Sequence, residues 1–452
     1  MDDKTRPAEL YEPPLVTLPT AIPAPVRAQP RKRLFRPTPI RPIFDAWLLR
    51  RRSPARRGLQ LQWLICLAGS TVVVLLGVDF GRQFVIPGPW FKAPEPFVES
   101  MVHWDGGYFF RIAESGYTHT PGQPSRVHFF PLYPLIGSLV SKVTGWSVQL
   151  ALVVVSHLFF AAALFLLGQY MDRRYGAEQH AERSAALLAL SFVPAGMFFH
   201  MAYTESLFLL LCIVELYLID CRVHPLFVAL VAGLAIATRA VGVGLLAPLL
   251  LYLARYARRP KAFLGWCCLC LPLALSGVIV YGLYCQWAFG DAFATLRDRA
   301  TLWAMRPLPA LPEKVLALAT LQPVWEIFVP SSSAYWRIFT STAQIPFSLY
   351  VANPLYFVGA LAAVVIGWWN RWLNRYEIGA TLGLLFVPYW TLGHESQMVS
   401  MARYVVVIAP VYLVAGKLLA KLPPAVGGCL LGVSATLLAA YAAVFARWYW
   451  MV

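Results

Sequence analysis

Residues 148–170 read VQLALVVVSHLFFAAALFLLGQY, and this stretch decides the fold. It carries no Asp, Glu, Lys or Arg, and as a helix it is long enough to cross a hydrocarbon core about 30 Å thick. Similar apolar runs fall near 61–78, 184–199, 204–220, 225–253, 263–289, 346–369, 376–393, 404–421 and 424–445. Of 452 residues, 59% are hydrophobic and 13% charged, against about 25% charged in soluble domains. Mean hydropathy is +0.59. A soluble core could not bury this much apolar surface, so the bilayer is the solvent and the expected class is an all-α polytopic membrane protein.

The net charge of +16 does not indicate nucleic acid, because of where the charge lies. Thirteen Lys and Arg occur in the first 60 residues, including Arg31-Lys32-Arg33, Arg50-Arg51-Arg52 and Arg56-Arg57. Most of the others sit between apolar runs, as in cytoplasmic loops facing anionic lipid. The polar, Pro-rich start is unlike a cleavable signal peptide. Residues 1–57 are therefore expected to be a disordered basic cytoplasmic tail, and 58–452 the membrane domain. The eight Cys lie in or beside apolar runs, and the Cys267-x-x-Cys270 spacing continues an apolar helix, which favours packing over metal or redox chemistry.

Charge also sets the expected orientation. With the tail inside, 79–147 lies outside, Arg173-Arg174 inside, and 184–199 with 204–220 forms a hairpin whose outer tip is Ala202 to Glu205. The run 225–253 begins and ends inside, because Arg255, Arg258, Arg259 and Lys261 follow it. It is therefore expected to break near Thr238-Arg239-Ala240-Val241-Gly242, which keeps Arg239 out of mid-bilayer lipid. Residues 290–345 and 394–403 fall outside, giving about eleven spans. Pro131 to Val143 is short and Pro-studded and suits a re-entrant or interfacial helix. This topology puts Asp105, Glu205, Arg239, Asp291, His394, Glu395 and Arg403 on one face, from six separate segments.

Five motifs populate that face: His103-Trp104-Asp105-Gly106-Gly107-Tyr108 with Arg111 to Tyr117, His128 to Pro134, Phe198 to Phe208, Ala237 to Gly242, and Ser400 to Tyr404. Each has a plain structural explanation. Asp105 and Thr204 can cap helices, Glu205 can sit in a helical first turn, the aromatics can form an interfacial belt, and the arginines can snorkel. Each Arg beside a helix break could equally hold a phosphate.

In this order and spacing the five segments resemble the PIG-V family of membrane mannosyltransferases, over roughly residues 100–410. The family's W-D-x-x-x-[YF]-x-x-I-A-x-x-G-Y, F-F-P-x-[YF]-P, Y-[ST]-E-[SA]-L-F and A-T-x-R-S-x-G-type runs match the segments quoted. Gln344-Ile345-Pro346-Phe347 resembles a further Q-[IV]-P-N-F stretch. Ala240-Val241 stand where eukaryotic members carry Ser-Asn, and Asn is absent after Pro346, so contacts of those amides are not carried over. These departures suit a prokaryotic branch. The resemblance implies the GT-C glycosyltransferase fold, with a large extracytoplasmic first loop and a polyprenyl- or dolichyl-phosphate sugar, usually mannose, as donor.

Chemistry beside the resemblance agrees. The chain has no Asp-x-Asp to hold a metal and a nucleotide sugar, and an outer-face site has no access to cytoplasmic nucleotide sugars. No metal and no cofactor are therefore expected. Inverting displacement needs a carboxylate to take the acceptor's hydroxyl proton and cations to hold the departing phosphate. Asp105 is the candidate base, matched to the family's first-loop Asp, and Arg239 and Arg403 are the candidate phosphate ligands. Glu205 and His394 would bind sugar hydroxyls or orient Asp105, Gln344 would bind sugar or acceptor, and Trp104 and Tyr108 would stack on the sugar. Expected partners are the lipid-phosphate donor, a glycan or glycolipid acceptor and membrane lipid, with no nucleic acid. A transporter or flippase of a polar lipid would share the helices and arginines but needs no outer-face carboxylate, and a non-catalytic subunit of a complex needs none of them.

Overall fold

A computed structural model describes residues 54–121, 123, 125–257, 259–302, 311–332, 335, 349–392 and 398–449. All belong to one compact unit, Pro37–Val452. The expected tail falls outside these residues except at its end, where the first helix, α1 (Pro54–Phe84), has already begun. Its 31 residues reach about 46 Å at 1.5 Å per residue, more than enough to cross a hydrocarbon core of about 30 Å.

The described residues fold as helices: α2 (Asp105–Ser115), α3 (Leu132–Thr144), α4 (Val148–Tyr175), α5 (His180–Phe192), α6 (Glu205–Asp220), α7 (Pro225–Thr238), α8 (Leu246–Tyr256), α9 (Pro260–Ala274), α10 (Ser276–Phe289), α11 (Ala294–Leu302), α12 (Leu311–Ala319), α13 (Leu349–Trp369), α14 (Arg375–Leu392), α15 (Met401–Val405), α16 (Ala409–Leu419) and α17 (Pro424–Phe445). Among them four are long and apolar enough to cross a membrane, and five crossings result if α9 and α10, bent by 51°, count as one. The chain is a multi-pass membrane protein. The other apolar runs are short or broken helices, so helix length alone gives fewer crossings than the eleven that charge alternation suggests.

The breaks have local causes. The run ending at 199 stops being α-helical at Val193 (φ −58°, ψ 131°), because the following Pro194 disfavours helical backbone before it. A 3-10 turn, Pro194–Phe199, follows. The run 225–253 breaks where charge placed it: α7 ends at Thr238, Arg239 is extended (φ −149°, ψ 138°), and a 3-10 turn, Ala240–Leu245, leads into α8. The run 404–421 is divided at Ile408 (φ −87°, ψ 87°), ahead of Pro410. Helix α3 spans about 20 Å, too short to cross. It buries Tyr133, Pro134 and Gly137 while exposing Leu135, Leu139 and Val143 on the opposite face.

Two contacts place the site. Tyr133 and Ser156 join α3 to α4, with Tyr133 Oη 2.8 Å from Ser156 Oγ, and Ser156 donates to the Tyr203 carbonyl at 3.2 Å just before α6. The first loop is tied to α10 and α11, because Tyr281 and Thr295 both donate to the Val127 carbonyl at 2.9 Å and Ser125 bonds Asp298. Helices α1 and α17 then close the two ends of the bundle together. A Cβ on Gly77 would lie 3.0 Å from Ala439 Cα, and one on Gly81 2.7 Å from Ala443 Cα. Small residues four apart on each helix let the backbones touch. Gly81→Leu is therefore expected to abolish a monodisperse, cooperatively melting protein in detergent, whereas Gly432→Leu, with open space around it, leaves the melting temperature within a few degrees. Equal melting of the two variants would show that the helix contact contributes nothing.

Candidate active site

Asp105 opens α2 but does not cap it. The N-cap position is Trp104, and neither residue makes a side-chain cap bond. The Asp105 carboxylate instead meets Arg403, Oδ2 to Nη1, at 2.6 Å. The Arg403 Nε is 2.6 Å from Glu205 Oε1, and the same oxygen is 2.6 Å from Arg239 Nη1. Four charges from four segments thus form one chain of alternating sign, Asp105–Arg403–Glu205–Arg239, with no net charge. Glu205 has no solvent exposure, the Arg403 and Arg239 side chains are 8% and 10% exposed, and Asp105 is 28% exposed. Water reaches the chain mainly at its Asp105 end.

Local structure explains how each member arrives. Asp105 projects from a helix whose N-cap Trp104 has φ 55° and ψ −120°, a conformation costly for a bulky residue and kept only where neighbours enforce it. Glu205 begins α6, and Thr204 does not cap that helix either. Its Oγ1 lies 3.3 Å from Glu205 Oε2 and accepts from Arg239 at 3.4 Å. Arg239 sits at the break after α7, its guanidinium over the Tyr404 ring at 5.1 Å. Arg403 lies on α15, entered through Met398 and Ser400 at positive φ. Its guanidinium lies against Phe198 and Tyr203 at 4.9 and 4.8 Å, two rings that also touch each other at 4.9 Å. The aromatic walls keep water off the ion pairs, which strengthens them.

The structure thus brings Asp105, Glu205, Arg239 and Arg403 together. Glu205 reaches Asp105 through Arg403 and is enclosed by the two arginines, with no solvent exposure. Trp104 and Tyr108, on either side of Asp105 in the sequence, each have aromatic neighbours. Tyr108 stacks on Phe129 at 4.7 Å, and Trp104 donates to the Tyr449 carbonyl at 3.1 Å between Trp90 and Trp448. Asp291 accepts from the Phe293 N–H at 2.9 Å and pairs with Arg297, shaping the start of α11 instead. His394, Glu395 and Gln344 lie outside the described residues.

Three contributors escaped the motif reading. Asn353, fully buried in α13, accepts the Ala402 N–H at 2.9 Å and fixes the residue before Arg403. Its signal was available, as an amide inside an apolar run. Tyr203 stood within a motif but without a role. The end of α17 and the turn after it, residues 445–449, hold the Trp104 segment from about 345 positions away, and no spacing rule could link the two.

Residues 88–254 match the family model for Mannosyltransferase (PIG-V). Over 172 residues the chain is 27% identical to GPI mannosyltransferase 2 of Drosophila pseudoobscura pseudoobscura, covering 31% of this chain and 37% of that one. It is 24% identical over 300 residues to GPI mannosyltransferase 2 of Yarrowia lipolytica (strain CLIB 122 / E 150), covering 65% and 75%. Among solved structures it is similar to ArnT from Cupriavidus metallidurans bound to undecaprenyl phosphate, at 14% identity and a TM-score of 0.41, over 82% of this chain and 62% of that one.

Proposed function

We propose that this chain, whose residues 88–254 match the family model for PIG-V mannosyltransferases, is an inverting GT-C glycosyltransferase. It moves a sugar, by family mannose, from a polyprenyl- or dolichyl-phosphate donor to a hydroxyl of a lipid-linked glycan or other acceptor. The observation that carries this reading is the Asp105–Arg403–Glu205–Arg239 chain. It provides one partly exposed carboxylate beside two guanidinium groups in a dry setting, which is what base-assisted displacement of a phosphate requires.

Asp105 takes the acceptor's hydroxyl proton, and the acceptor oxygen attacks the anomeric carbon as its bond to phosphate oxygen breaks. The electron pair leaves with the phosphate, whose growing charge Arg403 and Arg239 meet. Before the donor arrives, Arg403 neutralises Asp105 at 2.6 Å. A phosphate that competes for Arg403 frees the Asp105 carboxylate from its ion pair, so donor binding releases the base. Glu205 holds both arginines in place throughout.

Reconstitution in proteoliposomes with synthetic polyprenyl-phosphate mannose tests the reading. Mannose should pass to a hydroxyl acceptor with release of polyprenyl phosphate. Movement of the intact lipid across the bilayer without transfer would identify a flippase instead. Orientation is a separate expectation, resting on the basic tail and the cluster from Arg255 to Lys261. In a cysteine-free background, Ser115→Cys should react with an impermeant maleimide on intact cells, and Lys261→Cys only after permeabilisation. The opposite pattern would put Asp105 on the cytoplasmic face.

A further inference from the structure

We propose that His103 is a positioning residue: held between the Glu95 carboxylate and the Phe445 carbonyl, it locks the segment bearing Asp105 to the end of α17. This rests on the assignment of Asp105 as the base. The imidazole is 1% exposed, with Nδ1 2.9 Å from the Phe445 carbonyl oxygen and Nε2 in contact with Glu95 Oε1. A carbonyl only accepts, so Nδ1 carries a hydrogen, and Nε2 faces the carboxylate. The ring stacks on Trp448 at 4.0 Å and on Phe445 at 5.6 Å.

The geometry around the next residue shows what the lock does. Trp104 has its strained backbone between two anchored neighbours. The His103 carbonyl accepts from Tyr203 Oη at 3.1 Å and from the Gly106 N–H at 3.0 Å, and the Trp104 indole donates to the Tyr449 carbonyl. The anchor is itself fastened, since Gly88 N–H donates to the Arg447 carbonyl at 2.7 Å and Arg447 Nε donates to the Val85 carbonyl at 2.9 Å. The lock thus joins the segment just before Asp105 to Glu95, Tyr203 and the residues that end and follow α17. Stability alone does not require it. A phenyl ring stacked on Trp448, with an apolar residue in place of Glu95, would fill the same slot without the cost of burying an imidazole–carboxylate pair. What the polar pair adds is direction, which an apolar ring lacks.

His103→Phe therefore separates filling from aiming. The variant should fold and bind polyprenyl phosphate with an unchanged Kd, while kcat for mannosyl transfer falls about 10²-fold through misplacement of the base. Glu95→Gln, which still offers an oxygen to Nε2, should keep most of the turnover. Glu95→Ala should lose kcat in between, and it supplies the test if His103→Phe does not fold. Wild-type kcat in either His103→Phe or Glu95→Ala overturns the proposal. So does an equal loss of kcat and donor affinity in both, which marks a general structural role. Wild-type protein that transfers no sugar overturns the assigned function, and the lock with it, because a positioning residue needs a reaction to serve.

Discussion

Asp105→Asn should abolish mannosyl transfer, with a rate loss on the order of 10²-fold or more, while the protein stays folded and binds donor. An amide keeps the shape of the carboxylate but cannot accept the acceptor's proton at neutral pH. The alternative in which Asp105 merely caps α2 predicts little loss, since Asn caps helices as well as Asp. That alternative is already weakened by geometry, because the N-cap position belongs to Trp104 and the carboxylate turns to Arg403 at 2.6 Å. Loss of the charge also leaves Arg403 paired only with Glu205. Donor phosphate then competes with one carboxylate instead of two, so donor affinity should hold or rise as kcat falls. Turnover near the wild-type rate would remove Asp105 from the mechanism and make Glu205 the next carboxylate to test.

The membrane class, the break at Arg239 and the short helix at 132–144 were legible in the sequence because each depends on local composition. A charge inside an apolar run, a proline or a run too short to cross leaves a mark at its own position. Four members of the site were legible for a related reason: Glu205 and Arg403 are charges at the ends of apolar runs, Arg239 is a charge inside one, and Asp105 opens a motif of aromatic and glycine residues. Their pairing was not. Glu205 serves both arginines through one oxygen, which depends on how α6, α7 and α15 pack and on nothing in the spacing from 205 to 403. The division of 404–421 was missed because hydropathy does not register a backbone turn among apolar residues. The contribution of α17 was missed because its end supplies backbone carbonyls, from Phe445 and Tyr449. A carbonyl is present at every residue and so marks none.

Glu205→Gln should give the largest change in stability, and its response to ligand discriminates between structure and mechanism. In the wild-type chain two carboxylates balance two guanidinium groups, and Glu205, without exposure, is the member that touches both. The substitution leaves Arg239 and Arg403 facing a neutral amide with only Asp105 as counter-charge. Removing one partner from a buried ionic network costs about 3–5 kcal/mol, because the remaining charges stay desolvated. The melting temperature should fall, and transfer with it, since neither arginine is then held in place. An anion in the same space would replace the missing charge. Polyprenyl phosphate should therefore raise the melting temperature of the variant more than that of the wild type, in which Glu205 repels the incoming phosphate. Binding energy enters stability through ligand concentration relative to Kd, so a titration converts the difference into affinity. Equal stabilisation of both proteins by polyprenyl phosphate would mean that the donor phosphate does not meet these arginines. A variant as stable and as active as the wild type would mean that the four-charge chain neither supports the fold nor serves the reaction.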